Sequence, residues 1–112
     1  RKKLAESEVK LKFEMRRPPL IANPQAKKLA EQAQLIYKTD FNLPMKVLAE
    51  ATGGGTDAAF AGLNSKAAIL EGMGLSGDGA HSNNAEYILV ESIVPRLYLA
   101  TKLIMDLSTA QK

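Results

Sequence analysis

Two adjacent prolines, Pro18-Pro19, separate stretches whose hydrophobic periods cannot belong to one element. From Glu8 to Met15 the alternation is strict: Val9, Leu11, Phe13 and Met15 are apolar, while Glu8, Lys10, Lys12 and Glu14 are charged. A period of two predicts a strand with one wet face, as in an antiparallel sheet. Arg16-Arg17-Pro18-Pro19 ends it, because proline has no N–H to give a ladder. Beyond the prolines the period changes. The Pro-containing stretch therefore reads as a linker between two unlike structural units. Residues 1–7 are basic and compatible with the end of a helix.

Asn23-Pro24 is a helix start, with asparagine at the cap and proline at the first position. Ala26, Leu29, Ala30, Ala33, Ile36 and Tyr37 then share one helical face. That helix should end near residues 39–42, before Leu43-Pro44. Met45 to Ala49 and Ala67 to Leu70 are short apolar runs, the second of the kind buried on both faces of a mostly parallel sheet. A short helix fits Asp57 to Leu63. The clearest helix runs from Ser92 to Leu107, with Ile93, Leu97, Ala100, Ile104 and Leu107 as its core stripe, widened by Val94, Tyr98 and Met105. Pro95 falls in its first turn, where proline is tolerated. The order α, β, short α, β, α predicts an α/β unit with helices packed over a sheet. Two or three strands make a poor sheet alone. The chain, which opens at Arg1 inside a charged stretch, reads as a piece of something longer.

With 112 residues there is room for one ordinary domain. An apolar content of 46% argues against bulk disorder. A net charge of +3, with dispersed basic residues and few aromatics, lacks the dense footprint of a nucleic-acid binder. No apolar run reaches the roughly 18 residues that span a membrane. The absence of cysteine excludes disulfides, thiolate metal sites and cysteine catalysis, but fixes no compartment.

Two glycine-rich stretches could carry chemistry. Thr52-Gly53-Gly54-Gly55-Thr56-Asp57 sits between an apolar run and a short helix. Such a loop lets backbone N–H groups approach an anion or a developing oxyanion, or it is simply a tight turn with Asp57 at the helix start. It lacks the Gly-Lys-Ser/Thr of a P-loop and the Gly-x-Gly-x-x-Gly fingerprint. The second stretch, Gly72 to Glu86, delivers the sole histidine, His81. Zinc needs three or more protein ligands, and Asp57, Asp78 and Glu86 show no ligand spacing with His81. Glu86 is placed to orient the imidazole or else is a solvated residue before the last helix. Arg17 suits bidentate carboxylate recognition, against the alternative of a solvated linker charge.

Taken in order, Thr52-Gly-Gly-Gly-Thr-Asp-Ala-Ala-Phe, then Gly79-Ala80-His81-Ser82 with Ala85-Glu86-Tyr87, then Pro95-Arg96-Leu97-Tyr98 and Leu103-Ile104-Met105-Asp106-Leu107, resemble the C-terminal part of M20-family metallopeptidases, nearest to their carboxypeptidase branch. Val9-Lys10-Leu11 and Arg17-Pro18 match the end of that family's small lid and the return to its catalytic domain.

The resemblance implies that residues 1–17 end an inserted α+β lid, or dimerisation, domain. Residues 18–112 would then be the C-terminal part of a zinc-exopeptidase catalytic domain. His81 would be the last metal ligand of a two-zinc site, and Arg17 would hold the substrate's C-terminal carboxylate. Gly54, Gly55 and Thr56 would line the pocket by the scissile group, and Glu86 would support His81. The general-base glutamate and the other ligands would come from an N-terminal part of the domain not contained in these residues. The chain alone would then be inactive, and the whole enzyme a homodimer hydrolysing peptides or N-acyl amino acids. Other M20 reactions (deacetylation, desuccinylation, dipeptide cleavage) remain open, since a fold does not choose among them. A different reading is a non-catalytic α/β module that uses residues 52–57 to bind an anion or to assemble.

Overall fold

The structure is a computed structural model, which describes residues 8–14, 16–48 and 54–109. Expectations for residues 1–7, Met15, Ala49, Thr52 and Gly53 lie outside that range. Two long helices dominate. α1 spans Pro24–Phe41 and α3 spans Ile93–Thr109, with the short α2, Ala58–Gly62, between them in sequence.

The termini of α1 follow from their residues. The Asn23 side-chain oxygen accepts from the Ala26 N–H at 2.7 Å, filling an N-terminal donor that no helical carbonyl can reach. At the other end Asn42 turns left-handed (φ 52°) and its N–H returns to the Tyr37 carbonyl. Asn23 also does something the sequence did not suggest. Its amide nitrogen donates to the carbonyls of Lys66 and Ala67, at 3.3 and 3.0 Å, tying the later loop to the start of α1.

The core lies between α1 and α3. Ala33, Ile36 and Tyr37 of α1 meet Leu99 and Leu103 of α3, with Leu29, Met45, Leu70 and Met73 around them. Phe41 packs edge-on against Tyr98, with ring centroids 5.0 Å apart. The α1 face is the one its spacing predicts. The α3 face is not. Pro95, Leu99 and Leu103 are buried, whereas Leu97, Ile104 and Leu107 of the anticipated core stripe, with Val94, Tyr98 and Met105 beside them, are exposed. α3 is apolar around most of its circumference, so periodicity marks the helix without choosing the face that meets α1.

The short strands come out differently from the sequence reading. No β-pairing is assigned to Glu8–Glu14, and Val9, Leu11 and Phe13 are exposed. Met45–Leu48 and Ala67–Leu70 are likewise unpaired. A strand exists by virtue of its neighbour, and among the described residues none lies alongside. The Met45 carbonyl instead accepts from Gln34 at 2.9 Å, and the Ala67 carbonyl is taken by Asn23. The described sheet is antiparallel and small: β1, Gly77–Asp78, pairs with β2, Tyr87–Ile88, with Gly77 opposite Ile88 and Asp78 opposite Tyr87. It was not anticipated, and no parallel pairing occurs among the described residues.

Candidate functional site

The β1–β2 hairpin holds the histidine. His81 lies at its tip with φ of 68°, a left-handed conformation uncommon outside glycine. Two glycines permit this. Gly79 is itself at φ 73°, and a Cβ there would collide with the Ala85 carbonyl; a Cβ on Gly77 would collide with the carbonyl of Tyr87. The loop is closed from within. Ser82 N donates to the Gly79 carbonyl at 2.9 Å, and the Ser82 hydroxyl accepts from Ala85 N at 2.8 Å. The Asp78 carboxylate accepts from Gly79 N.

The hairpin is anchored to the turn that enters α3 through one hydroxyl. Ser92 Oγ accepts from Ser76 N at 3.0 Å and donates to the Leu89 carbonyl at 2.6 Å, so one side chain holds both legs. Leu89 N closes the base onto the Ser76 carbonyl. Arg96 of α3 donates to the Gly72 carbonyl and lies 5.8 Å over the Tyr37 ring, linking the loop's entry to the helix pair. Sequence reading missed Ser92 and Ser82 in these roles. A serine directly before a helix and a serine within a Gly-His-Asn turn were the available signals.

Arg17 belongs to a second cluster. Its aliphatic stem and guanidinium pack against Gly55: a Cβ on Gly55 would lie 3.0 Å from Arg17 Cδ and 3.3 Å from Nη1. Nη1 is 3.9 Å from Asp57 Oδ1. Both charged groups are exposed, and a pair at that distance in water contributes at most about 1 kcal/mol. The guanidinium thus keeps most of its donors for another carboxylate. Thr56 Oγ1 accepts from Ala58 N at 3.1 Å, which opens α2, whereas the Asp57 side chain makes no cap bond. The structure therefore brings together Arg17, Gly55 and Asp57, which are distant in sequence.

It does not bring every candidate together. His81 and Glu86 share the hairpin loop and are both exposed, and no hydrogen bond joins their side chains. No hydrogen bond or ion pair connects His81 to Arg17 or Asp57. Among the described residues no three His, Asp or Glu side chains converge on one point. The donor set therefore suits one ligand contributed by an accessible imidazole, and is too small to hold zinc. Two recesses lie elsewhere. One, lined by Pro19, Leu20, Ala26, Ala59, Leu63 and Ile69, and another beside Gln34 and Pro44, include none of these residues.

The structure thus has a glycine-bent hairpin presenting one imidazole and, separately, an arginine packed on a glycine loop. The chain belongs to the family described as Peptidase family M20/M25/M40, whose model matches residues 5–106. It is also 43% identical over 111 residues to carboxypeptidase G2 of Pseudomonas sp. (strain RS-16), covering 98% of this chain and 26% of that protein. The chain thus spans about a quarter of that relative's length. No solved structure matches it. Membership carries an α/β class and a peptidase ancestry. Among the described residues no helix is long and apolar enough to cross a membrane.

Proposed function

We propose that these 112 residues form the C-terminal part of a zinc-dependent M20 carboxypeptidase that releases C-terminal glutamate-like residues from peptides or N-acyl amino acids. The observation that carries this reading is the packing of Arg17 on Gly55 beside Asp57. A cationic fork beside the glycine loop suits a substrate ending in a carboxylate. Arg17 grips that carboxylate, and Gly54, Gly55 and Thr56 line the pocket near the scissile amide. His81 offers an imidazole nitrogen to the metal, and Glu86 steadies the ring once the site is filled. Zinc, when bound, acts as a Lewis acid at the substrate carbonyl and makes water more acidic. The remaining ligands, for two ions in all, and the general-base glutamate come from outside these residues, so the chain alone is inactive.

On the same reading residues 1–17 end a lid or dimerisation unit, 18–112 belong to the catalytic α/β unit with its mostly parallel sheet, and the whole enzyme is a homodimer. The anion-module alternative draws on the same packing of Arg17 beside Gly55 and Asp57, and turnover by the assembled enzyme decides between the two readings. The test is turnover of an N-acyl-glutamate by the assembled enzyme. His81→Ala should abolish it. Arg17→Ala should raise KM far more for substrates with a terminal carboxylate than for the corresponding amides. Normal turnover by His81→Ala would remove the proposal.

A further inference from the structure

Asp57 stands at the cap position of α2, yet it does not cap. Thr56 Oγ1 accepts from Ala58 N at 3.1 Å, and the Asp57 side chain makes no cap bond. Its side chain is 97% exposed, so it fills no space in a core either. Among the described residues its carboxylate has one polar contact, with Arg17 Nη1 at 3.9 Å. A carboxylate with no capping or packing duty thus faces the arginine assigned above to the substrate.

The rest of Arg17 is held by other means. Its stem crosses Gly55 where a side chain would otherwise stand. A few residues on, Leu20 packs over Gly62 at the far end of α2: a Cβ on Gly62 would lie 3.6 Å from Leu20 Cδ1 and 3.3 Å from Ile69 Cδ1. Pro18 and Pro19, between the two contacts, have φ locked by their rings. A stiff segment held near both ends of α2 fixes where the arginine stem lies. It does not fix how the guanidinium plane is turned, because the outer torsions of an exposed arginine are free in water. Asp57, facing Nη1, supplies that restraint and leaves the Nε–Nη2 edge for a bidentate partner.

We infer that Asp57 is a positioning residue for carboxylate recognition, turning the Arg17 guanidinium so that its free edge meets the substrate's terminal carboxylate. This rests on the functional reading of Arg17. Orienting a side chain before the ligand arrives reduces the entropy lost on binding. Charge alone predicts the opposite sign. A carboxylate beside Arg17 repels an incoming anion, so on electrostatics only, its removal would tighten binding. Orientation and charge therefore predict opposite changes in KM.

The test measures kcat and KM of the assembled enzyme on an N-acyl-glutamate and on the same compound with its terminal carboxylate converted to an amide. Asp57→Ala should raise KM for the carboxylate about three- to fivefold, the limit for an exposed pair. It should leave kcat within about twofold and KM for the amide unchanged. Asp57→Asn keeps an oxygen facing Nη1 and should return KM to the parent value or below it. In an Arg17→Ala background Asp57→Ala should have no further effect, because it acts only through the arginine. Its melting temperature should match the parent within about 2 °C. An unchanged or lowered KM for Asp57→Ala would overturn the inference. So would equal effects on both substrates, a loss that persists without Arg17, or a larger fall in melting temperature, which would make the role structural. The functional reading fails separately, if Arg17→Ala leaves the preference for the carboxylate intact; Asp57 would then have nothing to position, and both would fall.

Discussion

The α1–α3 pair and the His81 hairpin are held together by different means. The helix pair is stabilised by apolar contact, with Leu99 fully buried against Ala33, Ile36 and Tyr37. The hairpin has exposed side chains along both of its strands and is held by backbone and serine hydrogen bonds. Burial makes one region insensitive to what surrounds the chain. Local geometry lets the other keep a strained, accessible histidine without a core beneath it. In general the low-stability elements of a fold are also those that carry function.

The largest effect should come from the packed region. Leu99→Ala deletes the centre of the helix contact and should cost about 2–5 kcal/mol, read as loss of cooperative thermal unfolding. Were the loss below about 1 kcal/mol, the helix pair would not be the stabilising core.

Gly79→Ala should act in the other region. A left-handed residue with a Cβ costs about 1–2 kcal/mol, and the collision with the Ala85 carbonyl adds to it. The loss should stay local, with amide exchange rising across residues 79–88 while α1 and α3 keep their protection. A uniform rise would show that hairpin and helices unfold as one unit, and the contrast between them would fail.

Asn23→Ala tests the junction. It removes the cap of α1 and the tie to the Lys66 and Ala67 carbonyls, and should cost about 1 kcal/mol by thermal melting. Asn23→Ser should recover the cap but not the tie.

The smallest effect concerns the Asp40–Tyr98 contact at the edge of the helix pair. The hydroxyls of Thr39 and Tyr98 both donate to Asp40 and hold its carboxyl below the usual range, and the same contact raises the Tyr98 phenol. A depressed carboxylate contributes stability above its unfolded pKa and loses it as pH falls through the folded one. Acid below the ordinary carboxylate value of 3.8 should therefore weaken α1–α3 slightly, with no effect in milder acid. Tyr98→Phe should remove part of that acid dependence, with a melting shift smaller than that of Asn23→Ala.

Much of this was legible in the residues. Asn23-Pro24 marked the start of α1, residues 39–42 its end, and Ala26, Ala33, Ile36 and Tyr37 its inner face, because caps and periodicity are local properties. The motif order around Gly55 and His81 identified the family, since chemistry constrains residue type directly. The Glu8–Met15 alternation meets no partner strand among the described residues, because a period of two specifies a pattern that pairs only when a neighbour is present. The site was legible as separate residues, and the meeting of Arg17 with Gly55 was not.

The sequence by itself determined where the helices run, that a glycine-bent loop presents His81, and which peptidase family supplied these parts. Only the tertiary structure decided which face of α3 meets α1, that Ser92 holds both legs of the hairpin, and that Arg17 rests on Gly55. Those outcomes depend on contacts between segments far apart in the chain. A helix apolar on two sides has no internal reason to bury one before the other.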